Sequence, residues 1–128
     1  MPDLKKQIRP AIPSIVEKEQ ISVEEKFQNE VLRPIIKLQN ELILSCFEYY
    51  LRRVKVDIQK FNDVQKTDFI EKSFKRDAQL KAALRSLIIG LFTLEEYKDY
   101  LNMTSQLNKR INSIIQKRVS SAFTQKDK

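Results

Sequence analysis

Three basic residues near the C-terminal end, Lys109, Arg110 and Lys117, are the strongest candidates for a binding site in this sequence. With Ser113 they fall within roughly 100° of one another on a helical wheel, away from the apolar positions of the same segment. Residues 104–128 hold six basic groups and one acidic group, so most of the formal net charge of +7 lies there. A cationic helix face attracts polyanions such as nucleic acid. The alternative is a solvated face that keeps the protein soluble, because no aromatic residues are interleaved there to stack on bases.

A polar pocket is the second candidate site. Asn40 lies at the margin of an apolar helix face, and Tyr97 and Tyr100 lie on a later helix. Together they could line a small-molecule pocket. The competing interpretation is structural: Asn40, like Gln39, bonds a neighbouring helix, and the tyrosines pack in the core with their hydroxyls at the surface.

Two features that many enzymes use, histidine and a glycine-rich loop, are missing from this sequence. The chain has no His, which excludes His-based general bases, triads and His-ligated metals, and its one Gly is too few for a phosphate-binding loop. Cys46 lies within an apolar stripe, which favours a buried thiol over a nucleophile. The acids Glu95, Glu96 and Asp99 lie at a predicted helix start, where the helix dipole explains them. We therefore predict a non-enzymatic protein without catalytic residues, cofactor or metal.

A long helix from about Val23 to Val56 is predicted to lie at the centre of the fold. Ser22 and Glu25 have capping-box spacing at its start. Pro34 falls on the polar side of the wheel and is expected to kink the helix rather than break it. Two apolar stripes span roughly 200° of its surface, which is wide for a surface helix. The first stripe is Phe27, Val31, Ile35, Leu38, Leu42, Cys46 and Tyr49, and the second is Leu32, Ile36, Ile43, Phe47, Tyr50 and Val54.

Residues 57–67 lose the helical periodicity and are predicted to form a loop. The next helix is expected to begin at Thr67 or Asp68. Asp77 can then cap a further helix that leads into the most apolar run of the chain, residues 84–97.

That apolar run contains a helix stop followed by a helix start. Gly90 fits a left-handed C-cap, and Thr93 with Glu96 forms a second capping box. The helix that follows is expected to end at Asn102. Three of its residues are predicted to face inward: Leu94, Tyr97 and Leu101.

The last helix is expected to start at Thr104 or Ser105. Arg118 projects from the middle of its apolar stripe, so it either snorkels to water or pairs with an acidic group of another helix. The inner face is predicted to consist of Leu107, Ile111, Ile114 and Ile115.

The first 21 residues contain three of the four prolines, which argues against a long helix there. We predict an N-terminal arm over residues 1–21, which is either a flexible tail or docks on its own domain or on a second copy. A single helical domain is expected over residues 22–123, followed by a frayed tail over residues 124–128.

Composition supports one helical domain. Hydrophobic residues make up 41% and charged residues 32% of the chain, as in ordinary globular proteins. No apolar run approaches the roughly 20 residues of a membrane helix, and no export signal is evident. The chain is therefore expected to be an all-α, cytoplasmic, compact bundle of four to five helices around the helix that contains Pro34.

Two segments, EEKFQNEVLRPIIKLQN (residues 24–40) and IIGLFTLEEYKDYL (residues 88–101), resemble a small all-helical bacterial family. The similarity covers roughly residues 22–118. Some members carry a glyoxalase label, which implies a metal-dependent β/α enzyme with His and Glu ligands. This chain has no His and no strand pattern, so the resemblance implies a cytoplasmic helical domain without that activity.

Three functions follow from these patterns. The first is a helical protein-interaction module that associates with itself, because the apolar arc of the long helix is too wide for a small bundle to cover. The second is a nucleic-acid-associated protein that uses Lys109, Arg110 and Lys117. The third is a small-molecule binder with a pocket near Asn40 and the two tyrosines.

Overall fold

The structure, a computed structural model, describes residues 4–10 and 22–124. Residues 4–10 contain a short helix, α1 (Leu4–Gln7). Most of the predicted arm and the tail from residue 125 onward lie outside the described residues. Within the described ranges all regular secondary structure is helical, which confirms the all-α class. None of the helices in those ranges is long and apolar enough to cross a membrane.

Four consecutive helical segments form one central helix, as predicted. The side chain of Ser22 accepts a hydrogen bond from the backbone N–H of Glu25 at 3.0 Å, so the predicted N-cap is confirmed. The segments are α2 (Val23–Phe27), a π-helical turn (Gln28–Leu32), α3 (Arg33–Leu38) and α4 (Asn40–Arg53).

Pro34 does not break the central helix. Leu32 and Arg33, directly before it, keep right-handed helical backbone angles. The π turn lies just before Pro34, which lacks the N–H that a normal α turn requires. The prediction that Pro34 lies on the polar side was wrong, since Pro34 is buried. A π turn takes about one residue more than an α turn, so it rotates the residues that follow.

The two apolar stripes of the central helix are buried over different lengths. The second apolar stripe is buried from Leu32 to Tyr50, whereas the first is buried only as far as Ile35. Beyond that point three large residues remain partly exposed: Leu38 (37%), Leu42 (46%) and Tyr49 (59%). We call these three residues the exposed apolar face.

α5 (Asp63–Arg76) begins earlier than predicted. Asn62 and Gln65 form a capping box: Asn62 Oδ1 accepts from the Gln65 backbone N–H at 2.8 Å, and Gln65 Oε1 accepts from the Asn62 N–H at 2.9 Å. Val64 in the first turn is 79% exposed. That turn therefore has no apolar periodicity, and the sequence pattern placed the start near residue 67.

The two ends of α6 (Ala78–Ile89) differ in how well they were predicted. Asp77 Oδ1 accepts from the Leu80 N–H at 3.0 Å, which confirms the predicted cap. Gly90 was predicted to be left-handed, and this was wrong: its φ is −62°. A Cβ on Gly90 would lie 3.1 Å from the Ser86 carbonyl oxygen. Gly90 thus leaves room beside the last turn of α6 rather than adopting an unusual φ.

α7 (Leu94–Leu101) has its predicted cap but presents a different face to the core. Thr93 Oγ1 accepts from the Glu96 N–H at 3.0 Å, and Glu96 Oε1 accepts from the Thr93 N–H at 2.9 Å. Glu96 and Tyr100, one turn apart, are buried. The prediction of the inward residues was wrong, because the capping carboxylate turns the Glu96 side inward. The three residues predicted to face inward are exposed: Leu94 (71%), Tyr97 (40%) and Leu101 (53%).

α8 (Thr104–Thr124) starts at the predicted Thr104 and packs against α4, α5, α6 and α7. Ile114, predicted to face inward, is only half-buried. Four of its residues have no exposed surface and form the middle of the core: Leu107, Ile111, Ile115 and Val119.

Candidate anion-binding cleft

A cleft of about 560 Å³ lies between α8 and the start of the central helix. Four of its eight lining residues are cationic, and we call it the basic cleft. Its lining consists of Gln28, Arg33, Arg110, Ser113, Ile114, Lys117, Arg118 and Ser121.

Regular helical spacing positions the α8 side of the cleft. Arg110, Ser113, Lys117 and Ser121 follow one another at intervals of three and four residues, so they lie along one face of the helix. The sequence predicted this face from Lys109, Arg110, Ser113 and Lys117.

The π turn positions the opposite side. The backbone N–H of Arg33 donates to the carbonyl oxygen of Gln28, five residues earlier. This bond places Gln28 and Arg33 above one another on the same side of the central helix, and both line the cleft. π turns of this kind frequently occur at functional sites.

The positive charge of the cleft is only partly compensated. Arg110 Nε donates to Glu24 Oε2 at 3.1 Å, in a pair that remains partly exposed to water. Arg118 donates to the neutral Asn40 Oδ1 at 2.9 Å, rather than to the acid that was one predicted alternative. Arg33 and Lys117 form no ion pair or side-chain hydrogen bond with any residue of 4–10 or 22–124. The cleft therefore combines four cations with one acid at its margin.

Gln28 is the buried polar residue of the cleft. It is 7% exposed, and its Oε1 has no hydrogen-bond partner among the described residues. A buried amide oxygen without a partner costs free energy.

The three predicted polyanion contacts do not all reach the cleft. Arg110 and Lys117 line it, whereas Lys109 does not. Sequence analysis missed Arg33 and Gln28, because only the π turn and the packing of the central helix against α8 bring them to this site. The proline after Arg33 was the one local signal, since it disfavours a regular α turn.

The three residues of the predicted polar pocket, Asn40, Tyr97 and Tyr100, line neither of the two described cavities. Asn40 bonds Arg118. The Tyr100 hydroxyl donates to Asn108 Oδ1 at 2.6 Å, and the rings of Tyr97 and Tyr100 lie 5.8 Å apart. Gln39 Nε2 donates to the Leu87 carbonyl at 3.0 Å. These contacts match the structural interpretation of Gln39 and Asn40 as helix-to-helix bonds.

The second cavity, of about 540 Å³, lies between α4, α5 and the start of α6. Two of its three charged groups, Lys72 and Asp77, have structural partners. Lys72 pairs with Asp68 at 3.1 Å, and the Asp77 carboxylate caps α6. The remaining lining is Tyr50, Phe69, Ser73, Arg76, Ala78 and Gln79.

A buried ion pair joins the N-terminal segment to α7. Arg9 donates to both carboxylate oxygens of Glu96, at 2.9 and 2.7 Å, and to the Leu91 carbonyl at 2.8 Å. The two side chains are 7% and 10% exposed. Burial alone would raise the pKa of Glu96, but hydrogen bonds from Arg9 and the Thr93 N–H, with the Arg9 charge, lower the pKa below its ordinary value. This pair holds residues 4–10 against the corner between α6 and α7.

Metal ligands are not grouped in the described part of the chain, where no three His, Cys, Asp or Glu residues lie close enough to hold an ion. Comparison of the chain with family models, curated proteins and solved structures gave no match. The resemblance to a helical bacterial family therefore stays a prediction.

Proposed function

We propose that this protein is a non-enzymatic interaction module that binds the phosphate backbone of nucleic acid in the basic cleft. One observation carries the proposal: cations from two helices converge on a cavity in which Arg33 and Lys117 have no acidic partner among residues 4–10 and 22–124. The predicted cytoplasmic location belongs to the same proposal. Sequence analysis placed self-association first. The geometry favours the polyanion, because the cleft is concave and its charge is largely uncompensated.

The lining also sets the type of recognition. Arg and Lys contact phosphate oxygens, and these contacts supply affinity without reading sequence. Aromatic residues, which stack on bases in many single-strand binders, are not among the eight lining residues. We therefore expect weak, salt-sensitive binding with little dependence on base sequence.

Lys117 and Lys109 provide a matched test, because both are exposed lysines of α8 and only Lys117 lines the cleft. We expect Lys117→Ala to weaken binding of a short single-stranded oligonucleotide about three- to ten-fold. The logarithm of the association constant falls linearly with the logarithm of the salt concentration, and the variant should make this slope shallower by about 0.7. Lys109→Ala should leave both nearly unchanged. Fluorescence anisotropy across a salt series measures both quantities.

Absence of binding by the native protein at low salt would contradict the proposal. Equal weakening by the two lysine variants would show that the helix face acts as a diffuse charge, and that the cleft is not the site.

Self-association is the second candidate function, and the exposed apolar face favours it. Leu38, Leu42 and Tyr49 recur at helical spacing on one side of the central helix, and each keeps more than a third of its surface exposed. Large apolar side chains grouped on one helix face are typical of helix-pairing surfaces.

A charge placed in that face tests self-association. Native protein should sediment as a dimer at high concentration, and Leu42→Glu should sediment as a monomer, because a carboxylate would be buried at the interface. Val64→Glu is the control, since Val64 is 79% exposed on α5 and outside the face. Analytical ultracentrifugation distinguishes these outcomes. A native protein that stays monomeric at high concentration would contradict this second candidate.

A further inference from the structure

Three residues where α6 meets α7 hold the N-terminal segment, residues 4–10, through hydrogen bonds. These residues are Leu91, Phe92 and Glu96, and we call them the acceptor corner. Lys5 Nζ donates to the Phe92 carbonyl oxygen at 3.1 Å. Arg9 donates to the Leu91 carbonyl oxygen at 2.8 Å and to both carboxylate oxygens of Glu96. The corner therefore recognises an ammonium and a guanidinium that lie four residues apart in the sequence.

The acceptor corner is built without the N-terminal segment. The Thr93 N–H donates to Glu96 Oε1 at 2.9 Å, so the α7 cap fixes the carboxylate. The N–H groups of Leu91 and Phe92 donate to carbonyl oxygens in the last turn of α6, at 3.1 and 3.0 Å, which fixes the backbone of both residues. The acceptors thus keep their places when the segment leaves, and an empty corner has a carboxylate and two carbonyl oxygens in need of donors.

The N-terminal segment gains little from apolar burial. α1 has no buried residue, and Leu4 and Ile8 are 73% and 54% exposed. Arg9 Nε is buried without a hydrogen-bond partner among the described residues, which costs free energy. Charged hydrogen bonds therefore carry most of the attachment. A segment with so few buried apolar contacts opens at a small fraction of the free energy of global unfolding.

We propose that the acceptor corner also docks the N-terminal segment of a second copy, so that two copies exchange residues 4–10. Each copy carries both the corner and a segment that fits it, and the exchanged contacts repeat the internal ones. Reciprocal exchange closes a symmetric dimer in which Arg9 of each copy pairs with Glu96 of the other. This interface uses no residue of the basic cleft or of the exposed apolar face.

The chain is long enough for the exchange. Residues 11–21 join the segment to the central helix, and these eleven residues reach at most about 40 Å. A small domain is about 30 Å across. The covalent connection therefore allows the segment to reach the corner of an adjacent copy.

A labelled peptide tests whether the corner accepts the segment from another molecule. The probe is a fluorescent peptide of residues 4–10, LKKQIRP, added to full-length Arg9→Ala protein, whose own segment lacks the guanidinium. In fluorescence anisotropy this variant should bind the peptide at least ten-fold more tightly than native protein does, because the native segment competes within its own chain. The chain carries a formal net charge of +7, so general charge attraction would not draw in a cationic peptide.

Two altered peptides test what the corner recognises. A peptide with Arg9→Lys keeps its charge but loses the bidentate hydrogen bonds to Glu96, so it should bind about ten-fold more weakly. A peptide with Gln7→Ala is the control and should bind like the original, because Gln7 is exposed.

Mixing two full-length variants tests the exchange itself. Arg9→Ala keeps the corner, and Glu96→Gln keeps the segment. Both should also carry Leu42→Glu, so that the exposed apolar face does not contribute. In analytical ultracentrifugation at high concentration the mixture should form a heterodimer, whereas each variant alone should stay monomeric.

Each contrary outcome removes a different step. No peptide binding by Arg9→Ala would overturn the corner as a docking site, and equal affinity for the Arg9→Lys peptide would overturn recognition of the guanidinium. Peptide binding without a heterodimer would overturn the second copy as the occupant. Native protein gives a test that needs no variant: excess peptide should shift the backbone-amide NMR signals of residues 91–96, and unchanged signals would overturn the docking site.

Discussion

Phe47→Ala is expected to lower the free energy of unfolding by about 3–5 kcal/mol, because it removes a fully buried ring and leaves a cavity. Phe47 has no exposed surface. Its ring centroid lies 5.5 Å from that of Tyr50, 6.1 Å from Phe74 and 5.4 Å from Phe123. These contacts join the central helix, α5 and the end of α8. Loss of the ring therefore loosens three elements together.

Chemical denaturation followed by circular dichroism measures the effect. Tyr49→Ala is the control, because Tyr49 is the neighbouring aromatic residue and is 59% exposed. It should change stability by less than about 1 kcal/mol. Similar losses in the two variants would contradict the burial of Phe47 and the exposure of Tyr49.

Glu96→Ala is expected to lower the free energy of unfolding by about 3 kcal/mol. Removing one partner of a buried ion pair costs about 3–5 kcal/mol when the other charge stays buried. Arg9 belongs to a short N-terminal segment and can leave for water, which keeps the cost near the lower end. The variant also loses the carboxylate that caps α7. Glu95→Ala, the adjacent exposed acid, should change stability by less than about 0.5 kcal/mol.

The same pair predicts how stability depends on pH. The folded protein holds the pKa of Glu96 below its ordinary value of 4.5. Its contribution to stability is therefore fully present above that value, and it is lost as the pH falls through the lower folded pKa. Native protein should lose stability across this acidic range, and Glu96→Ala should lose less. Parallel curves for the two proteins would contradict the charged pair.

Local capping signals were predictable from sequence because they depend on neighbouring residues. Ser22, Asp77 and Thr93 all cap the helices that the sequence assigned to them. Each cap is a hydrogen bond between a side chain and a backbone N–H three residues later, and the spacing alone reveals it.

Features that depend on tertiary contacts were not predictable in this way. The outward face of α7 follows from Glu96, which bonds Arg9 from a distant part of the chain. The apolar pattern of α7 placed Leu94 and Leu101 in the core, because that pattern depends on one helix alone and does not include the contact between Glu96 and Arg9.

Only the α8 side of the candidate site could be predicted from the sequence, because the other side depends on tertiary contacts. Arg110 and Lys117 belong to one regular helix, so their shared face follows from the helical period. Arg33 and Gln28 meet them only because a π turn changes the register of the central helix before it packs near α8. A wheel drawn with a constant period places residues after such a turn incorrectly, as it did for Pro34.

The most direct test of binding in the cleft is a backbone-amide NMR titration with a short single-stranded oligonucleotide at low salt. We expect chemical-shift changes to concentrate on residues 28–33 and on the cleft side of residues 110–121, and to disappear at high salt. Shifts centred on α7 or on the exposed apolar face, or no shifts at low salt, would contradict the account.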